Sequence, residues 1–459
     1  MTSLGASDMD LDSSASLFEL LDGESLSLIL GLLSPKECCV LACVCSALRE
    51  FVSGHQMWPK LLLERYGQEE VIAPSSCPTD PSETLLSFKE AFIAWEIRFG
   101  GYDAFFARGW SCWSTLEAWT RTHFEPVYQS LAGGASEEQL DEAEQSLGVT
   151  FPRAMRMMYR VHDGQDLSFD RAANQIDASM FHGLFGGYCF YNHLVCVRLL
   201  PLKVIVDITS LLRQHESTRH LTSNAKVVIA ACKSLRKLFV LDTANGNVYA
   251  ACMNRKLLQA SPSSCENGDG LLGWMEAYAA NLAAGKYSVE RLIEEEDLEE
   301  DFSRAIALYP RRGQGTSVAI TKGIKVEAGV LLIPERSNPP EMFFSYSIRF
   351  SLLPVDEQRA ADESAEPLTS TQLLARHWVI TDGDNSTDEV RGEAVVGEYP
   401  LLTPGQEPFV YQSCTSMAAE PGRMEGDFTF VTGTIAEPTG GTIKALCAPF
   451  ALAVPEAVF

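Results

Sequence analysis

Few residues in this chain are of a type and spacing that could do chemistry. His377 stands between Arg376 and Trp378, where an imidazole could serve as a base or a metal ligand. It lies in a strand-forming run with no second histidine in the C-terminal domain, so a side chain satisfied by the core is the plainer reading. His162-Asp163 falls at the end of a helical pattern, where a cationic imidazole suits the helix dipole without any catalysis. Cys38, Cys39, Cys43 and Cys45 are dense enough to raise a metal reading. They lack separated Cys-x-x-Cys knuckles, and they fall on an amphipathic helical pattern. Gly392-Glu393-Ala394-Val395-Val396-Gly397 has the outer glycines of a phosphate loop, but Ala394 replaces the glycine that lets a backbone approach pyrophosphate. It sits between β-runs and opens no helix whose N-terminus could receive a phosphate. There is no Walker loop, Gly-x-Ser-x-Gly elbow or His-Glu-x-x-His pair. The expectation is a chain with no catalytic set, no cofactor site and no metal site.

The spacing that remains is the spacing of surfaces. Leu21 to Tyr66 reads as a short helical unit. Asp22 can cap a helix whose apolar residues Leu26, Ile29, Leu30 and Leu33 recur at i, i+3, i+4 and i+7. Ser34-Pro35-Lys36-Glu37 restarts the chain as a capping box with proline in the first turn. Cys38, Leu41, Val44, Cys45 and Leu48 continue on one face until Gly54, which predicts one second helix. Trp58, Leu61 and Leu62 begin a third. So few residues divided among three helices bury little surface alone, so the unit needs a partner.

Leu21, Ile29-Leu30, Leu33-Ser34-Pro35, Val44-Cys45 and Met57-Trp58 together resemble an F-box at its usual spacing, with Asp22 where that family commonly has proline. The resemblance implies docking on the Skp adaptor, and through it on a cullin. The residues expected to make that contact are Leu21, Leu26, Ile29, Leu30, Leu33, Pro35, Cys38, Leu41, Val44 and Trp58.

Composition is consistent with a soluble multidomain protein. The 459 residues suggest about three domains, and 46% hydrophobic with 21% charged residues is ordinary for globular chains. A net charge of −25 argues against nucleic-acid and anionic-membrane surfaces, which need clustered Lys and Arg. Met1 to Ser16 lacks the features of a signal peptide, and no apolar run is long enough to span a bilayer. Thirteen scattered cysteines suit reduced thiols in the cytoplasm or nucleus.

After an F-box at residues 17–66, residues 67–124 read as a linker followed by an aromatic-rich helical connector, with Phe88, Phe92, Trp95 and Phe99 at helical spacing. Residues 125–287 read as α+β. A capping box at Ser136 precedes Leu140, Ala143 and Leu147, and Phe151-Pro152 opens a further helix. Strands follow at Val227–Ala231 and Leu238–Leu241, and Asn245-Gly246 turns the chain into Val248-Tyr249-Ala250. Leu271, Trp274, Met275, Tyr278 and Leu282 close the domain as a helix. Phe151-Pro152, Tyr159 with Asp163-Gly164-Gln165, Gly246 to Tyr249 and the Trp274 helix jointly resemble SUKH domains, which are mostly protein-binding modules.

Residues 288–302 are acidic and read as a linker, with Glu290 to Asp301 acting as a hinge. Residues 303–459 show the period-two alternation and turn spacing of an all-β sandwich. Met342, Phe344, Tyr346, Ile348 and Phe350 form one face of a strand, and shorter runs include Ala394–Val396, Phe409–Tyr411 and Phe428–Val431. Asp356 to Thr371 reads as a long acidic loop and a candidate target-binding surface. Arg376-His377-Trp378, Tyr411-Gln412-Ser413, Pro404-Gly405 and Met424-Glu425-Gly426 closely resemble the ApaG domain, an immunoglobulin-like sandwich. The fold class expected is therefore multidomain: α-helical F-box, α+β SUKH-like domain and all-β ApaG-like sandwich. The resemblance implies a non-catalytic substrate receptor of a ubiquitin ligase, whose protein substrate the sequence does not name. Two other readings stay open: a phosphate-ligand sensor or hydrolase built on the sandwich, and a Skp-binding scaffold that ubiquitinates nothing.

Overall fold

The computed structural model describes residues 22–74, 87–166, 178–223, 225–265, 268–293, 303–361 and 366–459. Packing divides the chain into two units, Met1–Asp103 and Ala104–Phe459.

The first unit holds α1 (Gly23–Leu32), α2 (Pro35–Leu41), α3 (Ser46–Gly54), α4 (Met57–Tyr66) and α5 (Phe88–Phe99). The expected single helix after Pro35 is two. Cys45 has extended backbone (φ −154°, ψ 167°), and its sulfur accepts the Leu48 N–H at 3.5 Å, so a new helix is capped four residues after α2 ends. Leu30, Cys38, Leu48, Val52, Trp58, Leu62 and Tyr66 fill the interior, and Ala91, Phe92, Trp95 and Phe99 of α5 join them. Trp58 lies 5.6 Å from Phe92 and donates its indole N–H to the Val52 carbonyl at 2.5 Å. The aromatic seam read as part of a connector therefore completes this helical core.

The second unit begins with α6 (Asp103–His123), α7 (Glu125–Gln129), α8 (Glu137–Leu147) and α9 (Arg153–Val161). A Cβ at Gly109 would stand 2.7 Å from the Met157 sulfur, so glycine lets α6 lie close on α9. Trp113 donates to the Met158 carbonyl at 3.0 Å. Next come β1 (Gly187–Phe190), β2 (His193–Leu199), α10 (Leu202–Gln214), β3 (Lys226–Cys232), β4 (Leu238–Asp242), β5 (Val248–Ala251), β6 (Leu257–Gln259) and α11 (Gly270–Ala283). Two short strands, β7 (Ser288–Arg291) and β8 (Arg304–Ala307), extend one sheet in the order β6-β5-β4-β3-β2-β1-β8-β7.

β7 and β8 change two expectations. Residues 288–291 form a strand rather than a linker, and the sheet runs past the expected boundary at 303, because Gly187 of β1 pairs in parallel with Ala307. Glu290 also bonds Arg349 and lies 3.6 Å from Arg311, so the start of the expected hinge is fixed in place. Residues 294–301 of that stretch lie outside the described residues.

The C-terminal region comprises β9 (Thr316–Thr321), β10 (Ile324–Leu332), β11 (Met342–Leu352), α12 (Val355–Ala361), β12 (Thr371–Thr381), β13 (Thr387–Glu393), β14 (Leu401–Leu402), β15 (Phe409–Met417), β16 (Gly422–Gly433) and β17 (Pro438–Leu452). Its sheets run β15-β11-β10-β9 and β13-β12-β16-β17, with β14 on β12. Phe344, Tyr346, Ile348 and Phe350 bury one face of β11, as their alternation predicts. Phe350 meets Phe428 at 4.6 Å, and Trp378 meets Phe428 at 5.2 Å. Two expectations fail. The acidic loop after Leu353 begins as helix α12, whose buried Gln358 donates to the Leu353 and Leu368 carbonyls. Ala394–Val396 is a turn: Ala394 (φ 58°), Val396 (φ 50°) and Gly397 (φ 85°) are left-handed, which a strand does not allow.

Candidate docking site and domain interface

The N-terminal unit is built by its caps. The Asp22 carboxylate accepts the Ser25 N–H at 2.8 Å, a bond that holds its pKa below the ordinary carboxylate range. At the next helix Ser34 accepts from Glu37, and Glu37 accepts the Ser34 N–H at 2.8 Å, closing the box expected from the sequence. These caps position two short helices whose apolar residues point in more than one direction. Leu30 and Cys38 go inward, while Leu28 (74% exposed), Ile29 and Leu32 (87% exposed) on α1 face solvent. Val40 and Val44, at the end of α2 and in the turn after it, are exposed as well.

In the second unit a buried polar cluster joins the α+β domain to the sandwich. Lys237, entering β4, donates to the Phe459 main-chain oxygen at 2.5 Å and lies 3.3 Å from the Tyr188 hydroxyl. Glu335, in a short helical turn after β10, receives the Tyr188 hydroxyl and the His193 ring nitrogen, the latter at 2.9 Å. Burial alone would raise the Glu335 carboxyl. The Lys237 ammonium and the bonds from His193 and Tyr188 more than offset it and hold it below its ordinary value. Burial pushes Lys237 down, with Glu335 opposing. Beside the cluster, the Trp274 indole donates to the Val458 carbonyl at 2.7 Å, and Phe459 lies 5.0 Å from the Tyr278 ring. The end of the chain is thus packed into the α+β domain.

On the sandwich, His377 is not a core residue. It lies half-buried between Asp427 (Nδ1 to Oδ2, 3.0 Å) and Glu389 (Nε2 to Oε2, 3.4 Å), contributed by the strands on either side. Arg376 donates to the Glu393 and Ala394 carbonyls at 2.8 and 2.7 Å, so its charge clamps the 392–397 turn. His162 is likewise held rather than free: its ring nitrogens bond the Ala132 carbonyl and Glu117. Among the described residues no His, Cys, Asp and Glu group could hold a metal ion.

The ApaG domain model matches residues 334–432. Protein ApaG of Anaeromyxobacter dehalogenans is 36% identical over 139 residues, covering 30% of this chain and 96% of its own. F-box protein SKIP16 of Arabidopsis thaliana is 33% identical over 452 residues, covering 95% of this chain and 98% of its own. The chain belongs to the F-box proteins. F-box only protein 3 of Bos taurus is 25% identical over 433 residues, covering 92% of this chain and 81% of its own.

The expected F-box contact residues divide by exposure. Leu30, Cys38 and Trp58 are interior and hold the helices together. Leu26, Leu33, Pro35 and Leu41 are half-buried, Ile29 and Val44 are exposed, and Leu21 lies outside the described residues. The exposed apolar residues of α1 and α2 that the sequence reading did not name are Leu28, Leu32 and Val40. Their signal was present: α1 is apolar on nearly all sides, which a helix with a single buried face is not.

Proposed function

We propose that this chain is the substrate-recognition subunit of a Skp-cullin-F-box ubiquitin ligase, acting in the cytoplasm or nucleus without a catalytic residue of its own. The observation that carries this reading is the set of exposed apolar side chains Leu28, Ile29, Leu32, Val40 and Val44 on a unit whose core is already filled. Such residues on two consecutive helices and the turn that follows suit burial against the helices of an adaptor. The described cysteines are free thiols, as a reducing compartment would keep them. The α+β domain and the ApaG domain present the target, and the contribution to rate is proximity: target lysines are held near a conjugating enzyme's thioester.

The test is Leu28→Asp with Leu32→Asp. Both positions are exposed, so the unit keeps its fold, while a carboxylate buried at the adaptor contact costs several kcal/mol. The expected result is loss of Skp co-purification with unchanged circular dichroism. Normal stoichiometry with Skp would refute the docking surface. Ubiquitination of a captured target by the reconstituted ligase separates a receptor from a silent scaffold.

A further inference from the structure

We propose that the free edge of β15 binds an extended, basic-flanked apolar segment of a target protein by strand addition. This rests on the reading of the ApaG domain as part of the target-presenting body. β15 is an outer strand of the four-stranded sheet and pairs with β11 alone. The direction of its main-chain groups follows from two bonds. The Phe343 carbonyl accepts the Ile333 N–H on the β10 side, and the Leu352 carbonyl accepts the Gly405 N–H on the β15 side. Main-chain direction alternates along a strand, so the even-numbered residues of β11 face β15. They pair with Phe409, Tyr411, Ser413 and Thr415. The N–H and C=O groups of Val410 and Gln412 therefore point outward.

Pro408 precedes the strand and β1 lies close to part of it, but the strand itself lacks two of the usual protections. Phe409 to Met417 contains no charged residue and no proline, the devices that keep natural edges from pairing. It borders a cavity of ≈ 530 Å³, whose apolar lining includes Val395, Val396, Leu401 and Leu402. Val410 and Gln412 line both this space and the larger neighbouring cleft. Tyr191 marks one end of the open stretch, its hydroxyl 3.1 Å from Ser413 Oγ.

Charge selects the occupant. Glu398 and Glu407 line the same cavity, are exposed, and form no salt bridge among the described residues. The chain as a whole carries −25. An extended segment with alternating apolar residues and flanking Lys or Arg satisfies the outward amides, the apolar lining and the two carboxylates together.

The experiment measures fluorescence anisotropy of labelled Lys-Val-Thr-Val-Thr-Val-Lys on the full chain, beside the same peptide N-methylated at alternate residues. Saturable binding is expected, weakened at least tenfold by N-methylation, by Val410→Pro and by the pair Glu398→Lys with Glu407→Lys. A proline here removes an outward donor that an edge strand can spare, so the fold survives, as an unchanged melting temperature would show. Skp co-purification is expected to be intact in all these variants. Normal Skp binding in the α1 variants, with peptide binding retained, would count against the F-box reading alone. Absent peptide binding, or binding indifferent to both N-methylation and Val410→Pro, would overturn the proposal. A dimer seen by sedimentation and dissolved by Val410→Pro would also overturn it, because a second copy would then be the occupant.

Discussion

Replacing Lys237 by methionine tests how the α+β domain and the ApaG domain are joined. The side chain is fully buried, and its ammonium is the cation beside the buried Glu335 carboxylate. Methionine fills similar space but leaves that carboxylate buried without its counter-charge, held only by Tyr188 and His193. Breaking a buried pair on one side costs about 3–5 kcal/mol. At the low end of roughly 2–4 °C per kcal/mol for a large domain, the melting transition of the second unit should fall by about 6–10 °C at neutral pH. Glu335→Gln added to Lys237→Met removes the stranded charge and keeps an acceptor for Tyr188 and His193. The double variant should therefore be more stable than Lys237→Met, by about 2 kcal/mol.

The pH dependence has a defined sign. In the native chain Glu335 titrates below its ordinary value, so its stabilisation is present above about pH 4.5 and is lost as pH falls through the lowered value. Burial remains the largest single influence in Lys237→Met, and without the Lys237 cation the carboxyl titrates higher than in the native chain. The folded variant then takes up its proton at a higher pH than the native chain does, so the defect is largest at pH 7 and shrinks on acidification. Differential scanning calorimetry at pH 7 and pH 4.5 reads both effects. A double variant less stable than Lys237→Met, or a defect that grows on acidification, would refute the reasoning.

Two further outcomes are expected. Phe459→Ala removes a ring packed on Trp274 and Tyr278, and chemical denaturation should report a loss of about 3–5 kcal/mol in the second unit with Skp binding unchanged. Cys45→Ser puts a stronger acceptor at the N-cap of α3, where the sulfur now accepts from Leu48 at 3.5 Å, and the first unit should gain about 0.5–1 kcal/mol in thermal melts.

The bonds at Lys237, Glu335 and Phe459 also bear on how a target would be held. Together with Glu290 on Arg349, they fix the ApaG domain on the α+β domain through buried and half-buried side chains at their contact. On the proposed function, a target seated on β15 is carried by this pair of domains as one body, without a hinge at residues 288–291.

What the sequence determined by itself was local. The boxes at Ser34 and Ser136 are made within four residues, so their residue types suffice to place a helix start. Gly148 (φ 65°) ends α8, and Gly246 (φ 78°) turns β4 into β5, because both need a left-handed backbone. The alternation along β11 was legible because a strand with one buried face repeats every two residues. The helical stretch was legible, but periodicity alone did not separate interior Leu30 and Trp58 from exposed Leu28 and Leu32. That choice depends on where α3, α4 and α5 pack. Tertiary structure alone decided the pairing of β8 with β1. It also decided the cluster that brings Tyr188, Lys237, Glu335 and Phe459 together from four distant segments. The physical reason is the same in each case. A cap or a turn satisfies its hydrogen bonds with near neighbours, whereas a buried charge, a parallel strand and a packed chain end are satisfied by partners 49 to 222 residues away.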